Sequence, residues 1–66
     1  MRAFVNGEPR ELAEGTTVAQ LLEQLGLVRR GIAVAVNDGV VPGSAHAQQP
    51  LHDGDRVEII VAVAGG

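Results

Sequence analysis

The apolar positions along the chain change period twice. Arg2–Val5 reads as a short strand, and Asn6-Gly7 follows it. Both central positions of a type I′ turn need positive φ, so Asn-Gly predicts a hairpin. Glu8–Leu12 is then the returning strand, and Pro9, which has no N–H, puts it at a sheet edge. Ala13-Glu14-Gly15 reads as a turn. The spacing then predicts a helix of about three turns over Thr16–Leu25. Val18, Leu21, Leu22 and Leu25 fall at i, i+3, i+4 and i+7 and form one apolar stripe. Thr17 and Gln20 fit a capping box, and Gly26 stands where a left-handed residue ends a helix.

From Ile32 onward the pattern is strand-like again. Ile32–Val36 is an unbroken β-branched run suited to an inner strand, and Asn37-Asp38-Gly39 is a turn. Val40-Val41 is a short strand that Pro42 stops, and Gly43–Pro50 reads as irregular and polar. Leu51–Asp55 is a tight turn around Asp53-Gly54, and Arg56–Val63 is the last strand. The order β-β-α-β-β-β predicts an α+β fold: a mixed sheet of four to five strands under one main helix. A helix joining strands of one sheet makes a right-handed crossover. At this length the pattern suggests a β-grasp, ubiquitin-like roll, with the first and last strands parallel at its centre. Residues 1–66 form a single domain, with 62–66 a flexible C-terminal tail.

Composition narrows the chemistry. A chain of 66 residues buries only about 60% of the surface its unfolded form exposes. With no cysteine, disulfides and thiol chemistry are excluded. Five basic residues against eight acidic ones, and a single aromatic residue, Phe4, argue against nucleic-acid partners. No apolar run approaches the roughly 20 residues of a membrane span, and Met1–Asn6 turns polar too soon for a signal peptide. A cytoplasmic protein with no membrane contact is expected.

Other candidate chemistry is sparse. His46 and His52 lack companions at metal-ligand spacing, so no metal site is expected. Asp53-Gly54-Asp55 is too short for a calcium loop, and turn chemistry accounts for both carboxylates. Thr16, Thr17 and Ser44 have no base nearby, and Arg29-Arg30 reads as a solvated basic spot. No pocket large enough for small-molecule catalysis is expected, and the chain reads as no enzyme.

The terminal Gly65-Gly66 remains. Glycine lets backbone lie extended in a narrow channel and leaves a terminal carboxylate open to attack. Along the last strand Val57, Ile59, Val61 and Val63 share one face, and Glu58, Ile60, Ala62 and Ala64 the other. With the first set on the helix, Ile60 and Ala62 are left as a modest apolar patch for partner docking.

Several stretches together resemble the thiamine-pathway sulfur-carrier (ThiS-type) family: Val5-Asn6-Gly7-Glu8, Gly15-Thr16-Thr17-Val18, Leu21-Leu22, Leu25, Val34-Ala35-Val36-Asn37, Val40-Val41-Pro42, Asp53-Gly54-Asp55 and Gly65-Gly66. The likeness covers essentially the whole chain. It implies that an E1-like adenylyltransferase uses ATP to activate the Gly66 carboxylate as an acyl-adenylate. Sulfur supplied ultimately by a cysteine desulfurase then gives a thiocarboxylate, which a thiazole synthase consumes. It implies a carrier that binds no cofactor of its own, with Ala64 and Gly65 threading through the partner. Residues 62–66 extend roughly 17 Å, enough for a thin arm. The family usually has Arg after Val-Pro, and often an aromatic residue a few positions on. Here those positions read Gly43 and Ser44-Ala45-His46, so the likeness assigns no contacts to the 43–50 loop. Two other readings stay open: the small subunit of molybdopterin synthase, and a ubiquitin-like or TGS-like binding module without covalent chemistry.

Overall fold

Two tight hairpins and a capped helix set the architecture. Asn6 and Gly7 take φ of 51° and 84°, which closes β1 (Arg2–Val5) onto β2 (Glu8–Glu11) through the expected I′ turn. Met1 and Leu12 exchange both backbone hydrogen bonds just outside this ladder. Bonded and non-bonded pairs alternate in an antiparallel ladder, so the Phe4–Pro9 pair is non-bonded and Pro9 sacrifices no bond. A computed structural model describes residues 1–28 and 30–62.

Helix α1 spans Val18–Gln24, shorter than the three turns its apolar spacing predicts. Thr17 is the N-cap, and both halves of the capping box form: Gln20 N–H donates to Thr17 Oγ1, and Thr17 N–H to Gln20 Oε1. Val18 N–H, another donor orphaned at the helix start, finds Gln49 O at 2.9 Å. At the other end Gly26 sits at φ 72°. Gly26 N–H donates to Glu23 O and Leu27 N–H to Leu22 O, a Schellman stop that converts Leu25 from helix to cap.

The remaining strands are β3 (Ile32–Val36), β4 (Gly39–Val41) and β5 (Arg56–Val61). In space the sheet runs β2-β1-β5-β3-β4, so all five strands join one mixed sheet. β5 is central, parallel to β1 and antiparallel to β3. This is the β-grasp arrangement. The β3–β4 turn differs in detail from its sequence reading. Its central residues are Asn37 and Asp38, at φ 50° and 70°, while Gly39 pairs with Val36 as the first residue of β4.

Gly43–Pro50 also departs from expectation, because Gly43–Gln48 forms a 3-10 helix. Ala45 N–H donates to Pro42 O, and His46 Nε2 lies 3.1 Å from Val41 O, which ties the turn to the end of β4. Tertiary contacts hold it in place of an amphipathic period. The loop after it is pinned by Leu51, 2% exposed, whose N–H donates to Thr16 O.

The core is aliphatic. Ala3, Val18, Leu21, Val34, Leu51 and Val57 are its most deeply buried members, and Phe4 lies outside it. Among the described residues no helix is long and apolar enough to cross a membrane.

Candidate functional site: the outer sheet face and the exit of the last strand

Strand β5 separates two environments. Val57 and Ile59 point to α1 and are buried, while Glu58, Ile60 and Ala62 point away and are exposed. Ile60 is thus on the open face, as its alternation predicts. It pairs with Ala33 across the β3 ladder, and Ala35 pairs with both Glu58 and Val40. Ala33, Ala35, Val40 and Ile60 surround a shallow depression of about 80 Å³, with Val40 79% exposed. The apolar surface is therefore broader than Ile60 and Ala62. Sequence reading missed Ala33 and Val40 because an unbroken run such as Ile32–Val36 does not reveal which of its residues face outward. The signal was present: an inner strand that is apolar on both sides of an open sheet must expose half its apolar residues.

The exit of β5 is gripped on both edges. On the β1 side that strand has ended, and the side chain of Asn6 takes its place. Ile59 N–H donates to Asn6 Oδ1 at 2.8 Å, and Asn6 Nδ2 donates to Ile59 O at 3.3 Å. On the β3 side Ala62 N–H donates to Gly31 O at 2.7 Å. This ladder bond falls within residues 62–66, the stretch read as tail. Ala64, Gly65 and Gly66 lie outside the described residues. The entry of β5 has a matching clasp, in which Arg56 N–H donates to Asn37 Oδ1 and Asn37 N–H to Arg56 O.

Two open clefts flank the helix, of about 400 Å³ and 390 Å³. They correct the expectation that so small a body has no pocket of that size. A seven-residue helix leaves both margins of the inner sheet face uncovered. The first cleft is lined by Val5, Arg10, Leu25, Ile59 and Val61, the second by Leu22, Arg30, Gly31, Gly43 and His46. Neither lining contains a Ser, Thr or Cys nucleophile beside a base.

Asp53 and Asp55 serve the turn. Arg2 N–H donates to Asp53 Oδ1, and Asp55 accepts from His52 N–H and Asn37 Nδ2. Among the described residues no three His, Asp or Glu side chains converge as a metal site would require.

The central strand therefore carries Ala62, still bonded to Gly31, beside an open apolar face. The sequence profile described as the ThiS family matches residues 4–66. The chain belongs to the ThiS family. It is 41% identical over 63 residues to the sulfur carrier protein ThiS of Thermus thermophilus, covering 96% of this chain and 97% of that one. The crystal structure of the thiamine biosynthesis protein ThiS from Geobacter metallireducens superposes with a TM-score of 0.84 at 32% identity, and each chain covers all of the other. A thiazole synthase of Paramagnetospirillum magneticum is 41% identical over all 66 residues. This ThiS-family chain spans one fifth of that protein's length.

Proposed function

We propose that this chain is a sulfur carrier of the thiamine pathway, with the Gly66 carboxylate as its working group. It is a carrier and not a catalyst. One observation supports the reading: in a ThiS-family chain, the central strand β5 brings Ala62 out beside the open face of Ala33, Val40 and Ile60. The carrier docks through that face and sends residues 63–66 into the partner's site.

A carboxylate resists nucleophiles until one of its oxygens becomes a good leaving group. A carboxylate oxygen of Gly66 attacks the α-phosphorus of ATP in an E1-like adenylyltransferase, and pyrophosphate departs. The terminal sulfur of a persulfide, charged by a cysteine desulfurase, then attacks the acyl carbon and AMP departs. A second thiol cuts the S–S bond of the acyl disulfide, leaving the thiocarboxylate and a new disulfide. Ala64 and Gly65 keep the approach thin. That a thiazole synthase contains a segment like this chain supports such an enzyme as the recipient of the sulfur.

The test is intact-mass measurement of the chain after incubation with the adenylyltransferase, MgATP and a persulfide donor. The expected product is heavier by the difference between sulfur and oxygen, localised to Gly66. An unchanged mass with active partner enzymes sinks the reading. A product that a thiazole synthase ignores, but a molybdopterin-synthase large subunit consumes, would move the chain to the other pathway.

A further inference from the structure

We propose that Gly31 is a positioning residue for the carrier's arm, a role that rests on the carrier reading above. Ala62 is the last residue described, and Gly31 holds it on the β3 side. Gly31 O accepts the Ala62 N–H at 2.7 Å. Gly31 sits at φ 81°, a left-handed conformation that side chains disfavour. A Cβ built there would lie 3.2 Å from Ala62 O and 3.5 Å from Ala62 Cβ. The first contact is tighter than side chains normally tolerate, so the Ala62 carbonyl would have to move.

That carbonyl belongs to the peptide unit that starts the arm, and a change in its orientation propagates to every atom beyond it. The other left-handed glycines differ. Gly7, Gly15, Gly26 and Gly54 have positive φ too, yet a Cβ at any of them meets nothing within 4 Å. Their glycine serves the turn alone. At Gly31 the bare α-carbon also makes room for the Ala62 carbonyl. A change at Gly31 touches only the Ala62 margin of the open face and leaves Ala33, Val40 and Ile60 in place, so docking is separable from aiming.

The experiment compares Gly31→Ala with Gly54→Ala, which bears the same backbone strain at φ 85° with open space around its Cβ. Both variants and the wild-type chain are assayed for thiocarboxylate formation with the adenylyltransferase, MgATP and a persulfide donor, at a temperature where circular dichroism shows each folded. Gly31→Ala is expected to lower kcat by about tenfold to a hundredfold, the cost of a small misplacement of a reacting group, with KM within about twofold of wild type. Gly54→Ala keeps the wild-type kcat. Equal losses in the two variants, or a wild-type kcat in Gly31→Ala, overturn the inference. A wild-type chain that is itself not converted overturns the carrier reading first. If Gly31→Ala does not fold, Ala62→Pro replaces it, because it removes the N–H that Gly31 accepts at the very end of the sheet. An unchanged kcat in that variant overturns the inference, and a fall in kcat at constant KM upholds it.

Discussion

Ile59 and Ile60 are adjacent residues of one strand with opposite surroundings. Ile59 is 8% exposed, packs into the aliphatic core, and has both its backbone groups clasped by Asn6. Ile60 is 64% exposed and faces solvent beside Ala33 and Val40. The same side chain therefore does two jobs, set only by the period of the strand. In so small a body an apolar residue left outside gives up burial that the core could use. Under the proposed function, Ile60 is the apolar residue kept outside for a partner.

Four variants break or sharpen this contrast, in falling order of effect. Ile59→Ala should cost about 2–5 kcal/mol, the usual range for truncating a buried aliphatic residue. Against a total of roughly 3–10 kcal/mol for a domain of this length, that approaches complete unfolding. A denaturant midpoint close to wild type would show that the core extends less far along β5. Asn6→Ala comes next, at about 1–3 kcal/mol, because it leaves the Ile59 N–H and C=O without their partners. If a urea titration finds a smaller loss than for Asn37→Ala, the clasp at the exit matters less to the fold than the one at the entry.

Ile60→Asp should leave stability within about 0.5 kcal/mol, as expected of a surface change. It should weaken capture by the adenylyltransferase about tenfold, or about 1.4 kcal/mol, measured by titration calorimetry. Unaltered binding would move the docking site off this face. Arg2→Ala is the smallest. Its ion pair with Glu11 lies at 2.8 Å between groups 60% and 68% exposed, and such pairs are worth about 0–1 kcal/mol. A larger change in melting would mean that Arg2 does more than pair at the surface.

Most of the fold was legible because its signals are local. The capping box at Thr17 and Gln20, the stop at Gly26 and the Asn6-Gly7 turn each involve residues a few positions apart. The central pairing of first and last strands followed from element order. What escaped depends on distant residues. The 3-10 helix over Gly43–Gln48 has no apolar stripe and is held by contacts to β4 and α1. Asn6 reaches Ile59 across 53 positions, and no spacing rule anticipates that. The same holds for Gly31, whose role appears only once Ala62 lies over it. On the open face, the exposure of Ile60 and Ala62 was readable from alternation, whereas that of Ala33 and Val40 needed the register of β3 against β4 and β5. Gly43 lines a cleft beside His46, away from the face of Ala33, Val40 and Ile60.

The pairing of β1 with β5 joins Phe4 to Arg56 and Val5 to Val57, near the two ends of the described chain. Hairpins and a capped helix close quickly, but a contact across so long a loop carries the largest entropic cost and forms late. The strand that carries the arm is thus among the last pieces to lock. In a newly made or partly unfolded chain the Ala62 end of β5 would lack its bond to Gly31. Under the proposed function, loading would therefore favour molecules that have finished folding.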